Sequence, residues 1–251
     1  MVSIEYTVGD VASVVPVSRY EWERLVRSIE IPSGVKYLAL TMATYADPDG
    51  TRIHPGVERL ALVMCVGERT VTRALPQLVS LGLVVRVKQG NRYANEFDAY
   101  RLTAPRDLSQ WAHVDQDVPA RPLMEWKSGY MTFPGGVTRW PADRHEWIRW
   151  IRRVQIPSGV KYVALMLATY GNSDGTRIHP GSKLLALVMK VGVKIVDRDL
   201  PALRDLGFVE LVKQGSRRGG ESNEYRLSYP PDLSERSMLD PGETKLCECA
   251  V

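Results

Sequence analysis

The sequence predicts a mostly α fold with small β-hairpins (α+β), in which one unit of four helices and a hairpin is written twice in tandem. Three observations carry this. Residues 31–90 align without a gap on residues 156–215, an offset of 125, with 39 identities in 60 positions. Within each copy, apolar residues recur at helical spacing and then switch to alternation. Glycine and proline interrupt the pattern at matching places in both copies. The matched runs include Ile31-Pro32-Ser33-Gly34-Val35-Lys36-Tyr37 with Ile156 to Tyr162, and Asp49 to Gly56 with Asp174 to Gly181.

Each copy opens on a capping signal, an oxygen side chain followed three residues later by Glu: Ser18 with Glu21, and Asp143 with Glu146. Trp22, Leu25, Val26 and Ile29 then follow at helical spacing, as do Trp147, Trp150, Ile151 and Val154. Pro32 stops this helix, and Ser33 is expected to cap the next, which runs from about Gly34 to Tyr45 and is apolar at Val35, Leu38, Ala39, Met42 and Tyr45. Asp47-Pro48-Asp49-Gly50 reads as a turn and Arg52-Ile53-His54 as a brief strand. A third helix spans about Gly56 to Cys65, with Cys65 on its apolar face. After a break at Val66-Gly67, a fourth runs from about Glu68 to Leu81 with Val71, Leu75 and Leu78 inward. Pro76, repeated as Pro201, sits inside it, where proline costs about 3 kcal/mol, so a kink or restart is expected. Residues 83–88 and 96–102 then read as the two strands of a hairpin.

The predicted organisation is a first unit over residues 1–109, a linker over 110–125, a second unit over 126–236 and a flexible C-terminal tail over 237–251. No run approaches the roughly 18 apolar residues of a membrane span, and the N-terminus lacks a signal-peptide pattern. Cys65, Cys247 and Cys249 form no disulfide framework or complete metal set, which fits a reducing cytoplasm. Net charge is +4, but residues 1–125 hold 14 Lys+Arg against 15 Asp+Glu, and residues 126–251 hold 19 against 14. A polyanion therefore feels the second half more strongly at long range. No phosphate-cradling glycine loop, metal cluster or activated nucleophile is readable, so neither a catalytic role nor a cofactor is expected.

Three helices followed by a hairpin is the order of a winged helix, and a short helix, a tight turn and a helix bearing basic and hydroxyl residues is that of a helix-turn-helix. Asp49 to Gly56, Leu60-Ala61, Val66-Gly67-Glu68-Arg69-Thr70-Val71 and Leu81-Gly82-Leu83-Val84 together resemble the winged helix-turn-helix domains of bacterial phage and plasmid proteins. These include actinobacterial-type repressors and replication-initiation proteins. The resemblance covers about 70 residues in each copy. It implies two winged helix-turn-helix units in tandem, double-stranded DNA as the partner, and a regulatory, initiating or architectural role. The second copy departs from the pattern with Val193-Lys194-Ile195-Val196 where the first has Glu68-Arg69-Thr70-Val71.

A helix in the major groove reads base edges with residues near its N-terminal end. On the fourth helix these are Arg69, Thr70, Thr72, Arg73 and Gln77; in the second copy they are Lys194, Ile195, Asp197, Arg198 and Ala202, with the carboxylates of Asp197 and Asp199 opposing phosphate. The hairpins offer Lys88, Gln89, Asn91 and Arg92 in the first copy and Lys213, Arg217 and Arg218 in the second. Arg59, and Ser182 with Lys183, are expected to assist a phosphate at the start of the third helix. His54 and His179 are assigned no chemistry. The alternative is a non-enzymatic interaction module, which the modest charge and the two aspartates suit, with a protein partner or self-association in place of DNA.

Overall fold

A computed structural model describes residues 14–91, 96–107, 142–216 and 221–240. The first half runs β1 (Val14–Pro16), α1 (Arg19–Ser28), α2 (Ser33–Ala43), α3 (Val57–Met64), α4 (Glu68–Ser80), β2 (Val84–Lys88) and β3 (Ala99–Pro105). The second runs α5 (Arg144–Arg153), α6 (Ser158–Ala168), α7 (Ser182–Met189), α8 (Val193–Asp205), β4 (Val209–Lys213) and β5 (Glu224–Leu227). Every helix from α5 to α8 starts and stops 125 residues after its counterpart.

The Ser18 capping box forms in full around the start of α1, and Asp143 accepts from the amides of His145 and Glu146 at the start of α5. Ser33 does not cap α2. The cap position falls on Pro32, no side chain bonds the free amides, and Ser33 is already helical. α4 continues through Pro76 as one helix. Pro76 and Thr72, whose carbonyl loses its partner there, both lie on the exposed face, so the unpaired carbonyl is not buried away from solvent.

Each half closes on one tryptophan. The Trp22 indole donates to the carbonyls of Leu83 (2.8 Å) and Thr103 (3.0 Å), joining α1 to both strands of its hairpin. Trp147 does the same with Phe208 and Ser228, both at 3.0 Å. β3 is central in a three-stranded antiparallel sheet, order β1-β3-β2, and β4 pairs with β5. β1 was not expected, although Val14-Val15 is a β-branched pair that suits an edge strand. The return strand starts at Ala99 rather than residue 96, because the Asp98 carboxylate takes the Gly90 amide at 2.7 Å and closes the hairpin through a side chain. Arg52-Ile53-His54 contributes a single bridge, Ile53 to Tyr100. Gly50 holds φ +78° and a Cβ there would meet the Val17 carbonyl at 2.4 Å, so the turn before that bridge requires glycine.

The two halves share one core. α2 and α6 are buried almost all round, including Lys36 and Lys161, because each is covered by its own half on one side and by the other helix on the other. Residues 237–240 are not a free tail. Met238 bridges to Val154, the Leu239 amide donates to the Arg153 carbonyl at 2.8 Å, and the Leu239 side chain packs on Leu62 and Val63 of the first half. The rest of the expected tail, with Cys247 and Cys249, and the whole expected linker 110–125 lie outside the described residues.

Candidate nucleic-acid interface

α3 ends on Cys65 in the left-handed conformation (φ 52°), and α4 starts at Glu68 after Gly67. Cys65 therefore belongs to the turn and not to the apolar face of α3. Lys190 takes the same conformation (φ 56°) between α7 and α8. Left-handed backbone ends a helix within one residue and favours glycine; here both copies impose it on a larger side chain.

α4 buries Val71, Ala74 and Leu78, with Leu75 only half-buried, so its inner face is turned slightly from the one expected. Arg69, Thr70, Thr72, Arg73 and Gln77 are exposed. The Thr72 hydroxyl donates to the Glu68 carbonyl at 2.9 Å and the Gln77 amide to the Arg73 carbonyl at 3.0 Å, so both side chains lie back on the helix. No carboxylate among the described residues pairs with Arg69 or Arg73, whereas Arg86 is held at 3.6 Å from Asp98 and Lys88 at 2.8 Å from Glu96. Two unneutralised guanidiniums one turn apart are what a base edge or a phosphate needs.

The corresponding face of α8 is different. Lys194, Asp197 and Arg198 are exposed, Ile195 is exposed at its start, and Ala202 is half-buried. Asp199 does not face outward. It is 3% exposed, accepts from Arg198 at 2.7 and 3.2 Å, and lies against the start of α6, where a Cβ on Gly159 would meet its oxygen at 2.3 Å. That position favours a carboxylate, because the free amides and dipole of a helix N-terminus are positive. Only Asp197 is left to oppose phosphate. Hydrogen bonding to Asp199 also holds the Arg198 guanidinium above its ordinary range.

Of the hairpin residues, Lys88, Gln89, Asn91 and Lys213 are exposed, with Lys213 3.3 Å from Glu221. Both hairpin lysines thus meet a glutamate a few residues before the returning strand, and any phosphate must compete with it. Arg92, Arg217 and Arg218 lie outside the described residues. Ser182 is half-buried as the first residue of α7, and Lys183 is exposed. Arg59 is a correction: it is buried, and its charge bears on Arg152 and Lys161 across the seam. A guanidinium spent inside that seam is not available to a phosphate.

Sequence reasoning missed the seam itself. The Arg27 guanidinium donates to the Thr169 carbonyl (2.7 Å) and stacks on Tyr170; Arg152 donates to the Thr44 carbonyl (2.9 Å) and stacks on Tyr45. Lys36 reaches the Val188 carbonyl and Lys161 the Val63 carbonyl, both at 2.7 Å. Tyr37 and Tyr162 stack with ring centroids 4.9 Å apart. The available signal is that α2 and α6 are apolar on almost every face and carry no charged residue except Lys36 and Lys161, a pattern of helices buried on every side.

Burial lowers Lys161 to about 8 from its ordinary value near 10.5, with the Arg59 charge adding to the shift and Cys65 opposing it. Between those values the unfolded chain binds more protons than the folded one, so this group's contribution to stability rises with pH from about 8 to 10.5. Urea midpoints measured from about pH 7.5 to 9.5 are expected to climb relative to a Lys161→Met chain. Parallel curves would show that the ammonium is solvated.

Among the described residues no group of His, Cys, Asp or Glu could hold a metal, and no helix is long and apolar enough to cross a membrane. Residues 30–84, which hold α2, α3 and α4, match the family described as "Helix-turn-helix domain". This match supports DNA as a partner of that segment, since the second helix of such a motif enters the major groove. No curated protein and no solved structure matches the chain.

Proposed function

We propose that the chain is a non-catalytic, sequence-specific binder of double-stranded DNA, built from two winged helix-turn-helix units and reading a bipartite site with two unlike helices, α4 and α8. The observation that carries this is the pair of exposed, uncompensated guanidiniums, Arg69 and Arg73, at the front of the second helix of the matched motif. Arg grips a guanine edge with two hydrogen bonds, and Thr70 beside it suits a thymine methyl or a phosphate. The hairpins β2–β3 and β4–β5 serve as wings. Transcriptional regulation, or replication initiation or architecture on a mobile element, is the role that fits such a molecule.

One observation favours a second reading, a protein interface on the second half. α8 exposes Val193 and Ile195 where α4 has Glu68 and Thr70, and Leu187 of α7 is also exposed. Selection from a randomised duplex pool, followed by titration of the enriched duplex at rising salt, separates the two. DNA binding through several Lys and Arg loses affinity linearly in log salt, by orders of magnitude between about 50 and 200 mM. A salt-insensitive complex, or no enrichment, removes the DNA reading.

A further inference from the structure

The contacts across the seam are exchanged. Arg27 meets Thr169 and Tyr170, while Arg152 meets Thr44 and Tyr45; Lys36 meets Val188, while Lys161 meets Val63. In each pair the second contact is the first with 125 added to one partner and subtracted from the other. Equivalent residues also come together: Tyr37 stacks on Tyr162, and Leu40, Leu165, Thr44 and Thr169 line one small cavity. Only a twofold rotation produces both patterns. A head-to-tail arrangement brings one surface of the first half against a different surface of the second, and no contact recurs in reverse.

The axis can be placed. Equivalent residues stack at Tyr37 and share the lining of one cavity at Leu40 and Thr44, so these pairs follow one another along α2 and α6 to their C-terminal caps. The two helices therefore run side by side in the same direction, and the axis runs along them. α8 lies against the N-terminal end of α6, through Asp199 beside Gly159, and α4 packs on α2 as α8 packs on α6. Both second helices of the helix-turn-helix frame thus lie at the same end of the axis, one on each side of it.

We infer that the chain binds one duplex across this pseudo-dyad, so that its two half-sites are arranged as an inverted repeat and never as a direct repeat. This rests on the DNA reading above. If each unit docks in the same way, the rotation that relates the units must also relate the half-sites, and a duplex crossing the α4/α8 end of the axis meets both helices. Because α4 and α8 carry different residues, the natural site is an inverted arrangement of unlike arms, whose orientation cannot be read from its sequence. A single chain supplies both arms.

The test makes the arms alike. The substitutions V193E, K194R, I195T, D197T, D199A and A202Q give α8 the residues that α4 carries at Glu68, Arg69, Thr70, Thr72, Ala74 and Gln77, so each new residue is one the same frame already accommodates in the first half. Circular dichroism and a melting curve check that the full-length variant is folded. Both this chain and the unaltered one are then taken through selection from a randomised duplex pool. The variant is expected to enrich a palindrome with a fixed spacer, and to bind it about 100-fold tighter than the same arms in direct order, since only the palindrome engages both helices. A direct repeat, or a lone half-site, would overturn the dyad arrangement and leave DNA reading by α4 standing. No enrichment by either chain would overturn the DNA reading and this inference with it.

Discussion

Replacing Arg69 and Arg73 together with alanine is expected to weaken binding of the selected duplex by two orders of magnitude or more while leaving the fold unchanged. Each bidentate arginine–guanine contact is worth about 1–3 kcal/mol of discrimination, and neither side chain makes an ion pair with a described residue that folding would lose. The loss should be greater for the specific duplex than for an unrelated one, and the salt slope should flatten by roughly the number of phosphate contacts removed. Fluorescence anisotropy on both duplexes measures the loss, with thermal unfolding of the variant as the control. Unchanged affinity would take α4 out of the account altogether.

The largest effect on stability is expected from Glu23→Ala. Glu23 in α1 pairs with Arg144 at the start of α5, and the two side chains are 8% and 4% exposed. It also stands 3.8 Å from Arg19. Removing one member of a buried pair leaves a charge without water or partner and costs about 3–5 kcal/mol. Here the loss is compounded, because Glu23 separates two guanidiniums, Arg19 and Arg144, that already repel one another. His145 cannot take the place of Glu23, since an imidazole carries no negative charge. Burial and the same two guanidiniums keep its pKa below the ordinary range, and Arg19 donates to its Nδ1. Urea unfolding should show a midpoint lowered in proportion. A change within experimental error would mean that the α1–α5 corner is open to solvent.

The secondary structure was legible in the sequence because local rules decide it. Capping signals, proline stops and the change of period at Leu83 fix the helices and β2 to within a residue or two. What sequence could not supply was which faces meet. The expected inner face of α4 included Leu75 in place of Ala74, since hydrophobicity favours leucine wherever a helix face is drawn from one sequence. Arg59 and Asp199 look like surface charges in the sequence for the same reason: nothing local marks an arginine or aspartate that folding will bury against a distant element. In the case of Asp199, the burial depends on a helix start 40 residues earlier in the chain, and on glycine at position 159 leaving room for it. The exposed half of α4 was easier, because a run of polar side chains opposite Val71 and Leu78 has only one way to face.

The repeated copies told the same story twice at the level of elements and hid the contacts between them. An identity such as Lys36 with Lys161 reads as inheritance in sequence, yet each ammonium ends on a carbonyl of the other copy. Lys36 also donates to the Arg27 and Ile29 carbonyls of its own copy, so its ammonium ties the end of the first helix to the partner unit at one point.

Joining the two halves in one polypeptide changes how their seam responds to dilution. Separate subunits making the same exchanged contacts would come apart as their concentration fell, and any surface formed by the pair would be lost with the square of that concentration. Here the halves meet at a local concentration fixed by the chain between them, so the paired surface persists in a cell holding a single molecule. The tether also frees the copies from one another. A change in α8 need not appear in α4, and the two faces are able to drift apart while the buried seam keeps them in step.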